Sequence, residues 1–287
     1  MQTPEMRPAF TITPGIGDLP RLELAAPDGA RAEVYLHGAH IVSWVPANDH
    51  ERLFLSQASH FRSGEPIRGG IPVAFPQFGT LGSLSLHGFA RLMPWEFVGV
   101  ELARECSSAR FRLYETVESL RLWPHPFLTE LTLKIGNNQM HVDLQVSNTG
   151  TESFTITAAL HTYFRVSDVQ NAFVKGLCNQ HYLDSVDGGI EKLEESPTVG
   201  FTGEVNRIYW DAPSEVQLID SNNSTLVRKT GFRDIVIWNP GAEKCTTVPD
   251  LEENDYRHFV CIEAATIREP VCLAPGEHWQ GAQVLEV

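Results

Sequence analysis

Leu131-Thr-Leu-Lys-Ile-Gly-Asn-Asn-Gln-Met-His-Val-Asp-Leu-Gln-Val146 is the stretch that decides the fold. Leu131, Leu133 and Ile135 alternate with Thr132 and Lys134, Gly136-Asn-Asn138 intervenes, and the alternation resumes with Met140, Val142, Leu144 and Val146. A period of two sends successive side chains to opposite faces of a strand, so each arm has one face for a core and one for solvent. With turn-forming residues between the arms, the stretch predicts an antiparallel hairpin.

Similar short runs recur at Ala32–Leu36, Ile41–Val45, Phe111–Tyr114, Phe154–Leu160, Glu215–Ile219, Ile235–Trp238, Phe259–Ala264 and Val271–Leu273, separated by Gly, Pro, Asn and Asp. No stretch has the periodicity of a long amphipathic helix. Many short strands with frequent turn residues point to an all-β sandwich or barrel. No shift of composition marks a linker, so residues 1–287 read as a single domain. The polar interval from Asp184 to Gly203 reads as a long surface loop without chemistry.

The chain of 287 residues carries 22 basic and 36 acidic side chains, a formal net charge of -14. Such a field repels phosphate at long range, which argues against nucleic acid or an anionic membrane as partner, and any phosphate site has to be local. The five cysteines, at 106, 178, 245, 261 and 272, form neither a C-x-x-C pair nor a zinc-like spacing with histidine. Free thiols fit a reducing compartment. The opening residues lack a basic start followed by an apolar run, and no stretch approaches the roughly 20 apolar residues of a membrane helix. The expected location is cytoplasmic.

Two strand-like stretches carry an ionisable residue that packing alone does not require. In Phe154–Tyr163 the even positions Phe154, Ile156, Ala158 and Leu160 are apolar, so a regular strand turns His161 onto the face opposite the core. Glu263 sits among Val260, Cys261, Ile262, Ala264 and Ala265, where burial raises a carboxyl pKa and improves it as a proton acceptor near neutral pH. Together they offer a general acid and a general base to one substrate. Arg68, before Gly69-Gly70, and Arg91, ending His87-Gly-Phe-Ala-Arg91, are suited to an anionic group because a guanidinium grips phosphate through two parallel hydrogen bonds. Trp238 and Asn239 are weaker candidates for contact with a sugar ring, and Asp234 for a turn anchor. There is no P-loop, no G-x-S-x-G, no dinucleotide fingerprint and no H-E-x-x-H.

Taken in order, Pro66-Ile-Arg-Gly-Gly-Ile-Pro72, Phe75-Pro-Gln-Phe-Gly79, His87-Gly-Phe-Ala-Arg91, Leu160-His-Thr-Tyr163, Phe164-Arg-Val-Ser-Asp168, Val236-Ile-Trp-Asn-Pro240, Cys261-Ile-Glu263, Leu273-Ala-Pro-Gly-Glu277 and Gln280-Gly281 carry a family likeness. The chain resembles the glucose-6-phosphate 1-epimerases, or hexose-6-phosphate mutarotases, of the aldose 1-epimerase superfamily. The likeness runs over roughly residues 20 to 285.

It implies a galactose mutarotase-like β-supersandwich of antiparallel strands, with His161 and Glu263 catalytic and Arg68, His87, Arg91 and Asn206 binding the sugar phosphate. It implies interconversion of hexose 6-phosphate anomers with no metal or organic cofactor. The expected partner is a small-molecule sugar phosphate, and with nothing in the sequence asking for an obligate protein partner the expected state is a monomer. Two positions depart from the pattern. Leu86 stands where many relatives have glutamine, and Asn206 where many have aspartate, so the preferred hexose is less defined than the reaction. A mutarotase for neutral aldoses such as galactose and a non-catalytic carbohydrate-binding sandwich are the competing readings.

Overall fold

The structure is a computed structural model that describes residues 9–221 and 223–287. The hairpin forms as Phe127–Gly136 paired antiparallel with Gln139–Asn148. Asn137 and Asn138 link the arms with φ of 54° and 58°. Asparagine tolerates that left-handed backbone, which two-residue hairpin turns need to match the strand twist.

The hairpin lies inside a nine-stranded sheet that runs from Thr198–Val199 through Ala172–Lys175, Glu215–Asp220, Asn223–Thr230 and His278–Glu286, then across the hairpin to Ser107–Tyr114 and Glu96–Leu102. A second, eight-stranded sheet has the order Ile190–Leu193, His181–Asp184, Val205–Tyr209, Asp234–Asn239, Phe259–Leu273, Phe154–Leu160 and Val73–Ala74, with Tyr163–Arg165 also paired to Phe259–Leu273. Four N-terminal strands between Phe10 and Val45 make a third sheet. All strand pairings are antiparallel among the described residues, apart from one isolated parallel bridge between Phe75 and Gly88. The helices are short, Val117–Leu122 and Gly241–Cys245 plus single 3-10 turns. None of the described helices is long and apolar enough to cross a membrane.

Alternation explains how the two large sheets pack. Leu131, Leu133, Met140, Val142 and Leu144 from the hairpin share one buried cluster with Phe154, Ile156, Ala158, Leu160, Val260, Ile262 and Ala264. Burial of each such side chain stabilises the fold by roughly 1.5–3 kcal/mol relative to exposure. The residues between them, Thr157, Ala159, Cys261, Glu263 and Ala265, therefore occupy the opposite face of the eight-stranded sheet. Strand 259–273 is continuous, although Arg268-Glu-Pro270 reads as a break. The pairing register with Phe154–Leu160 shifts between Ile156 and Ala158, and this bulge takes up Pro270, which has no N–H to give a ladder.

The interval from Asp184 to Gly203 is not the unstructured loop expected. Ile190–Leu193 and Thr198–Val199 are edge strands, one in each large sheet. Glu194 is buried, where it accepts from Arg207 Nη1 at 2.7 Å and Tyr209 Oη at 2.8 Å. Short polar edge strands leave too little alternation to recognise, which is also how edges avoid pairing with other chains.

Candidate active site

The eight-stranded sheet places His161 and Glu263. Glu263 stands in the middle of strand 259–273, opposite Val236 on one side. His161 occupies the two-residue gap between Phe154–Leu160 and Tyr163–Arg165, both of which pair with that same strand. Segment 70–78 runs along the edge of the sheet beside this gap and fixes it: His161 N–H donates to Pro72 O at 3.0 Å, Tyr163 N–H to Gly70 O at 2.9 Å, and Phe78 N–H to Thr157 Oγ1 at 2.7 Å. Glu263 is only 1% exposed.

His161 Nε2 lies 3.3 Å from Glu263 Oε1. That distance suits an ion pair, yet both groups are driven toward their neutral forms. Burial pushes the Glu263 carboxyl well above the usual carboxylate range. Burial also holds His161 well below the ordinary imidazole value, reinforced by His87 and the Arg68 and Arg91 guanidinium charges. Both directions favour the uncharged forms, a protonated carboxyl beside a neutral imidazole. The His161 ring is fixed on three sides: Tyr163 stacks on it at 4.8 Å and 13°, while His87 and Trp238 meet it edge-on at 5.3 and 5.8 Å.

Arg68 reaches the site beside this stack. Its Nη1 donates to Tyr163 Oη at 2.9 Å and its Nε to Asp250 Oδ1 at 3.0 Å. Burial opposes its charge, but Tyr163 and Asp250 outweigh that and hold its pKa above the ordinary arginine value. The neighbouring glycines serve the protein backbone rather than a ligand. A Cβ on Gly69 would meet Phe54 O at 2.4 Å, and one on Gly70 would meet Ile41 O at 2.1 Å, with φ of 112° and 62° that side chains resist.

His87 is half-buried with φ of 63°, and its Nδ1 accepts from Gly79 N–H at 3.2 Å. Burial together with Arg91 and Arg68 pushes its pKa down to about 3. A neutral ring that accepts at Nδ1 carries its proton on Nε2 and is a donor there. Arg91 differs from Arg68. It is buried, donates from Nη2 to Leu86 O at 2.8 Å, and burial and Arg68 lower its pKa to about 10.

A cavity of about 460 Å³ opens onto this assembly, and its wall includes Arg68, His87, His161, Asn206 and Glu263. Five of the six residues singled out in the sequence thus share one hollow. Arg91 is not on its wall and sits behind the 79–87 loop. Asn239 serves the structure instead, donating to Tyr256 O and Phe259 O and accepting from Gly241 N–H. Asp234 anchors turns through Asp211, Ile267 and Arg268 amides. Trp238 lines the cavity, as do Leu86, Ser185, Glu204 and Lys244, the last three of which sequence reasoning did not select. Among the described residues no three His, Cys, Asp or Glu side chains converge as a metal site.

Fold and site together define a class, the galactose mutarotase-like β-supersandwiches, in which a large antiparallel sheet carries an acid–base pair under a hollow of sugar size. The model of one family, described as aldose 1-epimerase, matches residues 20–286, and the chain belongs to that family. A Cenchrus ciliaris protein provisionally named glucose-6-phosphate 1-epimerase is 36% identical over 273 residues, 91% of this chain and 83% of its own. An Escherichia coli protein with the same provisional name is 32% identical over 83% of this chain and 81% of its own. The crystal structure of a provisionally assigned mutarotase from Salmonella typhimurium superposes with a TM-score of 0.90 at 27% identity, covering 98% of this chain and 94% of that one.

Proposed function

We propose that this protein interconverts the α and β anomers of a hexose 6-phosphate, with glucose 6-phosphate the first candidate. The observation that carries the reading is the 3.3 Å contact between His161 Nε2 and Glu263 Oε1 at the floor of a hollow that also exposes Arg68. Ring opening needs a proton removed from O1 and a proton delivered to O5, two oxygens on the same carbon, and two proton-handling groups in contact match that demand.

The steps follow from one proton. Phosphate binding at Arg68 offsets a charge that disfavours imidazolium, so the shared proton crosses from Glu263 to His161. Glu263 carboxylate then takes the O1 proton and the O1–H electron pair forms the C1=O1 double bond. The C1–O5 bond breaks, and O5 takes the proton from His161 Nε2. The open-chain aldehyde is left with a protonated Glu263 and a neutral His161, which is the resting state of the free pair. Rotation about C1–C2 and reversal close the ring on the other face. No proton is exchanged with solvent.

His87 Nε2–H and Asn206 face the same hollow and are assigned to the sugar hydroxyls, while Arg91 acts from behind the loop through its charge and its hold on Leu86. The site is complete within one chain, in keeping with a monomer acting on a small molecule, without metal or organic cofactor. Five unpaired cysteines, two of them buried, support a reducing, cytoplasmic setting. The test is anomer exchange of glucose 6-phosphate and of free glucose followed by NMR. Acceleration of glucose 6-phosphate exchange is expected; acceleration of neutral aldoses alone, or binding without exchange, would replace this reading by one of its competitors.

A further inference from the structure

We propose that Lys244 is the second cation that holds the substrate's 6-phosphate, in the place that the sequence pattern gives to Arg91. This deepens the functional reading above and rests on it. A phosphate ester carries a charge of about −1.5 to −2 near neutral pH, more than one guanidinium balances. Arg68 is already partly committed, because Asp250 holds its Nε and Tyr163 one hydrogen of its Nη1, which leaves Nη2 and the other Nη1 hydrogen for a ligand. Arg91 gives Nη2 to Leu86 O, leaves its Nε without a partner and lies off the cavity wall. The rest of the protein gives no help, since its net charge is -14.

Lys244 is the remaining lysine or arginine on the cavity wall among the described residues. It projects from the Gly241–Cys245 helix, and the chain that follows it contributes Val248 to the same wall and Asp250 to Arg68. One segment therefore carries Lys244 and also fixes Arg68. Neither a carboxylate in ion-pair range nor a hydrogen-bond acceptor engages the Lys244 ammonium among the described residues, whereas Arg68 and Arg207 nearby are both paired. Glu204 shares the wall at a longer distance and would repel a phosphate that lacked a local cation. Lys244 also borders a larger cavity of about 1060 Å³ that shares Glu204 with this one, so it stands where two hollows meet. A flexible stem with a compact charge suits an exposed phosphate at such a junction.

The experiment compares the full-length wild type with Lys244→Met and Lys244→Arg, measuring kcat/KM for glucose 6-phosphate and for free glucose, and inhibition by inorganic phosphate. A charge-assisted contact predicts that the ratio of the two kcat/KM values falls about tenfold in Lys244→Met, that inhibition by inorganic phosphate weakens by about the same factor, and that Lys244→Arg restores most of both. An unchanged ratio, with both substrates affected alike or neither affected, overturns the assignment and leaves Lys244 as a counter-charge to Glu204. If the wild type does not accelerate glucose 6-phosphate exchange at all, the functional reading fails separately. Titration of inorganic phosphate by phosphorus NMR then still decides Lys244, because equal binding by wild type and Lys244→Met overturns its role as an anion contact.

Discussion

His161 Nε2 and Glu263 Oε1 face each other at 3.3 Å, while the other polar atom of each group, His161 Nδ1 and Glu263 Oε2, is buried without a hydrogen-bond partner. A buried polar atom left unpaired costs about 1–3 kcal/mol, so both members of the pair sit where packing alone would not place them.

Removing either member stops the proton relay. Glu263→Gln keeps the volume and the neutral form that burial favours, and is expected to lower anomer exchange of glucose 6-phosphate by about 10²–10⁴-fold while the circular dichroism spectrum stays native. His161→Gln should do the same, and the double variant little more than either single one, because the two act as a unit. Near-normal exchange by folded Glu263→Gln would remove Glu263 from the base role.

The pH profile follows from the two shifts. The working state has one proton on the pair. A second proton arrives only when pH falls through the His161 pKa, which burial and neighbouring cations hold well below the ordinary imidazole value. The proton is lost only when pH rises through the Glu263 pKa, which burial holds well above the carboxylate value. Exchange should therefore show an acid limb below the ordinary imidazole range and an alkaline limb above the normal carboxylate range. A rate that tracks an ordinary imidazole titration near 6.5 would show that the pair is not coupled in this way.

The sheets were legible because period-two alternation at Leu131–Val146 and Phe154–Leu160 is set by burial on one face, and the same alternation turned His161 away from the core. Glu263 stood out because a carboxyl in an apolar strand demands a reason. The contact of the two groups was not legible, since it depends on a pairing between residues about a hundred positions apart. Arg68 and Arg91 looked alike in sequence, each near glycines, but their difference lies in partners far along the chain and in the adjacent loop: Asp250 and Tyr163 for one, Leu86 O for the other. Lys244 carries no local signal beyond its charge, and on an acidic surface a lone lysine reads as solvated.

That difference between the arginines makes a prediction. Arg68→Ala should raise KM for glucose 6-phosphate by about 10–100-fold while affecting free glucose much less, as loss of a charge-assisted contact implies. Arg91→Met should lower kcat/KM for both sugars together, because it loosens the 79–87 loop rather than a phosphate contact. Equal effects of Arg68→Ala on both sugars would rule out phosphate at Arg68, and a phosphate-selective effect of Arg91→Met would put that side chain in the site.

A polar bridge through the core supports the pair from behind. Thr162 Oγ1 hydrogen-bonds Gln283 Oε1, and Gln283 Nε2 donates to Ile262 O at 3.0 Å, so a side chain from the nine-stranded sheet ties together the residues next to His161 and Glu263. Gln283→Leu leaves buried partners unsatisfied and should cost about 1–3 kcal/mol in denaturant unfolding. As a positioning residue it should lower kcat while KM stays close to wild type, and Thr162→Val on top of it should recover part of the stability. A loss of stability with kcat intact would restrict the bridge to folding.

Leu86 tests how the rim of the hollow sets sugar preference. It is 50% exposed and lines the cavity, where its apolar surface faces a ligand rich in hydroxyls. Its backbone oxygen holds Arg91 whatever the side chain, so substitution leaves that contact in place. Leu86→Gln introduces a donor and an acceptor on a side chain of similar size. A net gain of about 0.5–1.5 kcal/mol per hydrogen bond predicts a KM for glucose 6-phosphate lowered by roughly two- to tenfold. Substitution at an exposed position should leave the melting temperature within about 2 °C of wild type. Comparison of glucose, mannose and galactose 6-phosphates in both proteins then shows whether the gain falls on one epimer, as a directed hydrogen bond requires. A uniform or absent gain would place the side chain outside the sugar's reach.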